Sequence, residues 1–379
     1  MADDRPAGGR ANVSPVTRLP EFPWDRLTSA KAKAAANADG LVDLSIGTPV
    51  DRVPLPVRTA LGDASEAPGY PTVHGTLAVR RAYTQWLQRA HGVPDLEPAD
   101  VLPTIGSKEL VASLPTQLGL CAGDVVVVPE LASPTYEVGA IMAGARAIRT
   151  DSLTALGPER VSLLWINSPS NPTGRVLGVE HLIKVVTWAR SRNVIVASDE
   201  CYIDLGWDAA PVSILHPDVS GGDHRGLLAV HSLSKRSNMA GYRAGFVCGD
   251  PELIRRLIAV RRHLGAMVPS PVQAAATAAL LDDGHVLAQR SRYGHRRKLL
   301  QEALDTAGFQ VFGEAGLYLW CTRGESDIGT VDWFADRGIL VTPGSVYGHG
   351  GVNFVRIALT APDQQVAAAA DRLERRRGR

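Results

Sequence analysis

Four side chains with complementary chemistry lie within the stretch from residue 198 to residue 248. Asp199 and Tyr202 follow one apolar run, Lys235 follows the next, and Arg243 directly precedes a third. Each run has the length and composition of a buried β-strand. Ligands of open α/β sheets bind beyond the carboxyl ends of the strands, so these groups could meet around one organic cofactor.

An acid, a phenol, a lysine and an arginine are the groups that pyridoxal phosphate requires. Lys235 would form a Schiff base with the cofactor aldehyde, and Asp199 would keep the ring nitrogen protonated so that the ring can take up negative charge. Asn171 and Tyr202 would contact the phenolate oxygen. Either Lys235 or Asp199 alone also fits a surface lysine or a helix cap, but the ordered set favours the cofactor.

Separate groups could hold the cofactor phosphate. Gly106, Ser107 and Lys108 open a helix whose free backbone amides and dipole favour an anion. Ser232 adds a hydroxyl from the loop before the lysine, and Arg243 offers a planar guanidinium for bidentate contact. A Gly-Ser-Lys helix start is weak evidence by itself, because many such starts are ordinary caps, and it gains force from the other groups.

Composition excludes several classes of function. The 379 residues, 45% of them hydrophobic, can bury a large core and predict two domains. The net charge of +1 gives no electrostatic reason to expect nucleic acid or an anionic membrane as a partner. The four cysteines stand singly, without the paired spacing of a zinc site, so we expect reduced thiols and no metal.

Targeting signals are also missing from the sequence. The first twenty residues lack the apolar core of a signal peptide, and no apolar run reaches the roughly 18 residues of a membrane span. We therefore predict a cytoplasmic protein whose partners are small molecules. Residues 1–19 are rich in Ala, Gly, Arg and Asp and predict a loose leader.

Strand and helix patterns alternate from about residue 100, which is typical of a mostly parallel sheet covered by helices. Asp250 precedes a proline and an acid and predicts the start of a further helix. Beyond it, a long amphipathic region leads into shorter strands and a charged terminal helix. We predict an α/β large domain over residues 46–254 and a smaller α+β domain formed by residues 20–45 and 255–379.

Three motifs together resemble the class I/II aminotransferases of fold type I: the segment from Asn167 to Gly174, the pair of Asp199 and Tyr202, and the run from Ser232 through Lys235 to Arg243. The resemblance covers nearly the whole chain. It implies a pyridoxal-phosphate-dependent transferase, with a mostly parallel seven-stranded sheet sandwiched by helices. It also implies a ping-pong exchange of amino groups in which Lys235 acts as the base that moves the α-proton.

Further site residues follow from the same resemblance. It implies a homodimer with active sites at the subunit interface, in which Tyr70 would reach the cofactor phosphate of the neighbouring subunit. Arg356, assisted by Asn171 and Gly47, would bind the α-carboxylate of the substrate. Arg356 could instead be a surface residue at a strand edge, although its apolar neighbours disfavour this.

A finer resemblance, in residues 19–25, 106–110, 234–241 and 315–320, is to the actinobacterial N-succinyldiaminopimelate aminotransferases of lysine biosynthesis. It implies an exchange between glutamate with 2-oxoglutarate and N-succinyl-L,L-diaminopimelate with N-succinyl-2-amino-6-oxopimelate. Such a substrate carries distal carboxylates, and Arg236 is one candidate to meet them. A structural or surface arginine explains the same residue equally well.

Two positions depart from the family pattern. An aromatic residue usually stacks on the cofactor ring where this chain has Ser133, so Tyr136 or another aromatic would take that face, or the ring is held less firmly. Ser345 and Val346 stand where an acid and a phenylalanine are expected near the substrate. An aminotransferase for another amino acid or a specialised metabolite therefore stays open.

An alternative of another class is a regulator or pseudoenzyme that binds the cofactor without catalysis. Regulators that reuse this fold carry a DNA-binding domain at the N-terminus, for which a leader of about 20 residues is too short. A pseudoenzyme is expected to lack the lysine or the acid, whereas Lys235 and Asp199 are both present. The sequence therefore favours an enzyme.

Overall fold

The computed structural model describes residues 19–20 and 23–374, so residues 1–18 of the predicted leader lie outside the described part of the chain. The β-strands are, in chain order, β1 (Val42–Asp43), β2 (Val101–Ile105), β3 (Val125–Val128), β4 (Arg146–Arg149), β5 (Val161–Asn167), β6 (Ile195–Asp199), β7 (Leu227–Ser232), β8 (Ala244–Gly249), β9 (Gln310–Phe312), β10 (Tyr318–Thr322), β11 (Ile339–Leu340), β12 (Thr342–Pro343) and β13 (Val355–Ala358). The α-helices are α1 (Thr28–Ala35), α2 (Leu55–Asp63), α3 (Leu77–His91), α4 (Ser107–Gln117), α5 (Thr135–Ala143), α6 (Val179–Ser191), α7 (Pro217–Ser220), α8 (Leu233–Arg236), α9 (Pro251–Leu264), α10 (Ser270–Leu281), α11 (Gly284–Thr306), α12 (Asp327–Ala335) and α13 (Asp363–Glu374).

Seven strands form one central sheet in the order β2-β8-β7-β6-β5-β3-β4. The pairs from β7 to β4 are parallel, while β8 runs antiparallel to both of its neighbours. All residues of β3 are buried, as expected for an apolar run that packs against helices on both faces. The predicted α/β fold with a mostly parallel seven-stranded sheet is confirmed.

Helices cover both faces of this sheet. Apolar side chains of α3, α6 and α10 pack on one face, and those of α4, α5 and α9 pack on the other. Helix α9 begins where the sequence predicts, because the Asp250 carboxylate accepts hydrogen bonds from the backbone amides of Glu252 and Leu253, at 2.7 and 3.2 Å. The sheet is therefore sandwiched, and only the ends of its strands are open to a ligand.

A further hydrophobic core lies beside the central sheet. It is built by antiparallel strands in the order β12-β13-β10-β9, the parallel pair of β1 and β11, and the helices α11, α12 and α13. The N-terminal segment contributes Leu27, Val42 and Leu44 to the same core. This smaller α+β unit brings β10 and β13 next to the strand ends of the central sheet.

The long amphipathic region after α9 forms two helices that belong to different cores. Helix α10 buries Ala275 and Ala279 against the central sheet, whereas α11 buries Tyr293 and Leu300 in the smaller unit. The amphipathic pattern of a helix does not indicate which surface the helix packs on. The sequence therefore could not assign α10 and α11 to different cores. The domain division at residue 255 stays a prediction, and we propose to draw it between α10 and α11.

Candidate active site

The carboxyl ends of β5, β6 and β7 lie side by side and carry Asn167, Asp199 and Ser232 as their last residues. They border a cavity of about 290 Å³. Nine residues singled out in the sequence line this cavity together: Ser107, Lys108, Tyr136, Asn171, Asp199, Tyr202, Ser232, Lys235 and Arg243. Their meeting at one edge of the sheet is the geometry that the strand-end pattern predicts.

Lys235 lies in the short helix α8, directly after β7, and is partly buried. Its ammonium donates a hydrogen bond to the carbonyl oxygen of Gly47. Burial lowers the pKa of Lys235 below its usual value; Tyr318 opposes this shift, whereas the positive charges of Arg356 and Arg243 add to it. A lysine in this environment is more readily the neutral amine that can attack an aldehyde or accept a proton.

Asp199 is held by two donors. The hydroxyl of Tyr136 donates to one carboxylate oxygen at 2.7 Å, and the backbone amide of Cys201 donates to the other at 3.1 Å. The ring of Tyr136 packs against Trp165, with centroids 5.2 Å apart. Tyr136 is therefore buried as a support for Asp199, and whether its ring also takes the face that Ser133 leaves stays a prediction.

Ser133 itself lines the cavity, close to Thr135, with the two hydroxyl oxygens 3.1 Å apart. Among the described lining residues, the aromatic ones are Tyr136, Tyr202 and Tyr318. A serine is much smaller than an aromatic ring, so Ser133 fills less of this wall of the cavity than an aromatic residue would.

The start of α4 has the features of an anion site. Gly106 adopts a positive φ of 73°, and no side chain caps the helix, so the first amides are open to a ligand. The guanidinium of Arg243 packs directly on Gly106, where any Cβ would collide with it. Arg243 also has a positive φ of 57° and donates to the Ala240 carbonyl at 2.7 Å. The residues predicted to bind the cofactor phosphate therefore fit an anionic group at this end of the cavity.

Arg356 lies on β13 at the other end of the site and is only 3% exposed, so it is not a surface residue. Its guanidinium donates to the Asn171 side-chain oxygen at 2.9 Å and to the Ser45 carbonyl at 2.6 Å. It also lies 3.9 Å from the centre of the Tyr318 ring. A buried guanidinium beside the predicted base is well placed to receive a carboxylate.

Tyr70 does not line the cavity of its own chain. Its side chain is 96% exposed, which is unusual for a tyrosine and leaves the hydroxyl available to another molecule. The predicted contact of Tyr70 with a neighbouring subunit stays a prediction.

Arg236 points away from the cavity. Its Nε lies 3.5 Å from an Asp204 carboxylate oxygen, and its guanidinium lies over the Trp86 ring at 4.9 Å from the ring centre. With 3% exposure, it is the structural arginine that the sequence left as an alternative. It cannot meet a substrate carboxylate in the cavity, so that suggestion was wrong.

Sequence reasoning did not assign a role to Tyr318, Cys201 or Thr135, although all three line the cavity. Tyr318 lies on β10 of the smaller unit, more than a hundred residues from its neighbour Tyr202 in the chain. The aromatic pattern of residues 315–320 was visible, but the sequence does not indicate which ring faces the site.

Neither a metal-binding group nor a membrane-spanning helix occurs among the described residues. Residues 19–20 and 23–374 contain no group of three or more histidine, cysteine or acidic side chains that could hold a metal ion. No helix in this part of the chain is long and apolar enough to cross a bilayer.

The family model for aminotransferase class I and II matches residues 39–373, and the chain belongs to this family. It is 60% identical over 369 residues to a probable aminotransferase of Mycobacterium tuberculosis, covering 97% of this chain and 87% of that protein. It is 56% identical over 359 residues to the 4-dedimethylamino-4-oxo-anhydrotetracycline transaminase of Streptomyces rimosus, covering 94% of this chain and 100% of that protein.

Solved structures agree with this placement. An aminotransferase of Neisseria meningitidis matches with a TM-score of 0.87 at 28% identity, covering 95% of this chain and 98% of that one. A probable N-succinyldiaminopimelate aminotransferase of Thermus thermophilus matches with a TM-score of 0.83 at 28% identity, covering 93% and 99%. The predicted fold type I transferase is confirmed, and pyridoxal phosphate is its cofactor.

Proposed function

We propose that this aminotransferase takes the amino group from an α-amino acid whose carboxylate is bound by Arg356 and passes it to a carbonyl acceptor, with Lys235 as the base. One observation carries the proposal. Lys235 and the open start of α4 line one cavity together with Asn171, whose side-chain oxygen accepts a hydrogen bond from the buried Arg356 at 2.9 Å. An amino acid bound by its carboxylate would thus present its α-carbon to the lysine.

The protein residues divide the work. Arg356 orients the carboxylate, and Asn171 holds the guanidinium through the 2.9 Å hydrogen bond. Lys235 moves the α-proton, aided by the lowered pKa that burial gives it. Asp199, fixed by Tyr136, keeps its carboxylate directed at the cavity. Pyridoxal phosphate, when bound, supplies the ring that takes up the negative charge left at the α-carbon.

A second copy of the chain completes the site in this proposal. The exposed Tyr70 would contribute its hydroxyl to the phosphate end of the partner's cavity. Sedimentation or light scattering should then report a dimer. Tyr70→Phe should weaken cofactor binding but leave the dimer intact. A monomer with full activity would contradict the shared site. The cytoplasmic location is part of the same proposal.

The first proposed acceptor is N-succinyl-2-amino-6-oxopimelate. The likeness to the Thermus structure named as a probable N-succinyldiaminopimelate aminotransferase supports it. So does 32% identity, over 93% of this chain, to an LL-diaminopimelate aminotransferase of Dehalococcoides mccartyi. Arg236 is engaged with Asp204, so another group would bind the distal carboxylates of this substrate.

A bulky ring ketone of specialised metabolism is the second proposed acceptor. Ser133 favours it, because the missing aromatic leaves space on one wall of the cavity. The 56% identity to the anhydrotetracycline transaminase of Streptomyces rimosus also supports it. Such an acceptor needs no cation for a distal carboxylate.

One experiment tests both the reaction and the acceptor. The purified holoenzyme is mixed with a panel of amino acids, including N-succinyl-L,L-diaminopimelate, and the conversion of the cofactor to its amine form is followed by absorbance in a single turnover. The aminated enzyme is then mixed with 2-oxoglutarate, the succinylated keto acid or a 4-oxo-anhydrotetracycline. The acceptor that restores the starting spectrum fastest identifies the substrate class. No conversion with any α-amino acid would overturn the proposal.

A further inference from the structure

Tyr318 brings a hydroxyl into the site that none of the predicted roles uses. It lies on β10, pairs with Ala358 of β13, and is 5% exposed. Its hydroxyl oxygen lies 3.3 Å from that of Tyr202, with the two rings at 76° to each other. Because β10 belongs to the smaller unit and Tyr202 follows β6, this contact links both units across the cavity.

Tyr318 lies close to the two groups that the substrate is proposed to reach. On one side, it is so close to Gly47 that any Cβ at this residue would collide with it, and the carbonyl of Gly47 accepts the hydrogen bond from Lys235. On the other side, the Arg356 guanidinium lies over the Tyr318 ring at 3.9 Å. Because Tyr318 lines the cavity together with Lys235, it lies beside the path of an amino acid that extends from Lys235 towards Arg356.

The charges around Tyr318 make its hydroxyl a strong hydrogen-bond donor. Burial alone would raise its pKa, but the positive charges of Arg356 and Lys235 and the hydrogen bond with Tyr202 outweigh burial and lower the pKa of Tyr318. Burial and the neighbouring Tyr318 instead raise the pKa of Tyr202 well above its usual value. Of the two phenols, Tyr318 is the better donor to an anion.

We propose that the hydroxyl of Tyr318 donates a hydrogen bond to the α-carboxylate of the amino-acid substrate, next to Arg356, and is a further substrate-binding residue of this enzyme. This inference rests on the proposed role of Arg356. It also explains why residue 47 is a glycine, since a side chain there would displace the hydroxyl.

The test compares two ligands that differ only in the carboxylate. 2-Aminoisobutyrate carries an α-carboxylate, tert-butylamine has a methyl group in its place, and neither has an α-proton. Their dissociation constants are measured from the absorbance change of the holoenzyme. In Tyr318→Phe, 2-aminoisobutyrate should bind about tenfold to a hundredfold more weakly, as expected when a hydrogen bond to a charged group is lost. Binding of tert-butylamine should not change.

Tyr347→Phe is the matched control, because the Tyr347 ring also lies against Arg356, at 5.0 Å, but Tyr347 does not line the cavity. It should bind 2-aminoisobutyrate as the wild type does. Equal affinities in Tyr318→Phe and wild type would overturn the inference, and so would an equal loss for both ligands, which would indicate an action through the cofactor. If Arg356→Lys also leaves the affinity unchanged, the proposed function fails with it.

Discussion

Two pairs of adjacent residues, one at the end of β6 and one just beyond β7, each place one side chain in the cavity and bury the next one elsewhere. Asp199 and Lys235 both line the cavity. Glu200 and Arg236 follow them directly and are buried, Glu200 beside His231 and Arg236 over the Trp86 ring of α3. Since both pairs are adjacent in the chain, the difference comes entirely from the direction of the side chain.

The buried side is a network of polar groups around α3. His231 lies 3.0 Å from the Glu200 carboxylate and 2.5 Å from the hydroxyl of Tyr83, which also lies 3.2 Å from the Cys248 sulfur. Buried groups of this kind cost free energy unless they are paired, and breaking a pair costs more than the pair contributes. We therefore expect substitutions on the buried side to change stability, and those on the cavity side to change chemistry.

The largest effect is expected for Lys235→Ala. Without its amine, the rate of amino transfer should fall by at least about a thousandfold, because both covalent attachment and proton transfer are lost. The unfolding temperature should not fall, since burying an ammonium is itself unfavourable. Stopped-flow absorbance measures the rate of amino transfer, and thermal denaturation measures the unfolding temperature. Lys298→Ala, at a side chain that is 77% exposed, is the control, and full activity in Lys235→Ala would contradict the assignment.

Arg236→Met probes the neighbouring residue on the buried side. Its removal leaves Asp204 without its charged partner, so the free energy of unfolding should fall by about 3–5 kcal/mol. Chemical denaturation measures this, while the folded fraction should keep its amino-transfer rate within a few-fold. Arg89→Met breaks the more exposed pair with Asp283 and should cost at most about 1 kcal/mol. A smaller loss in Arg236→Met than in Arg89→Met would remove the distinction between the two sides.

The same buried pair predicts a pH dependence. Burial raises the pKa of Asp204, but the charge of Arg236 and the hydrogen bond from His91 outweigh it and lower the pKa from 3.8 to about 2. A carboxyl whose pKa is lower in the folded state stabilises the fold above its unfolded value and loses this contribution as the pH falls through the folded value. The contribution is about 2 kcal/mol, and it should be lost on going from about pH 5 towards about pH 2. Arg236→Met should show a weaker decline, and an identical pH profile in both proteins would contradict this origin.

The smallest effect is expected for Tyr136→Phe, which keeps the ring against Trp165 and removes one donor to Asp199. Proton abstraction should slow by about tenfold, because a hydrogen bond to a charged group is lost while Cys201 still holds the other oxygen. A single-turnover measurement with and without deuterium at the α-carbon identifies the affected step. A change in stability with unchanged chemistry would instead place Tyr136 with the buried side.

Much of the site could be predicted because its residues follow local rules. An apolar run that ends in a polar residue marks a strand end, so Asp199 and Lys235 could be placed at one sheet edge. Likewise, Gly106 marks a helix start and Asp250 marks another. The existence of most central strands followed from the same patterns, because strands that are buried on both faces have few polar residues.

The sequence by itself therefore determined the family, the class of the central sheet and nine of the residues that line the cavity. The tertiary structure decided that Arg236 points away from Lys235, since successive residues of the short helix α8 point in different directions. It also decided that α10 packs on the central sheet and that Tyr318 meets Tyr202. These contacts join residues far apart in the chain, and local composition and spacing carry no information about which distant surfaces pack together.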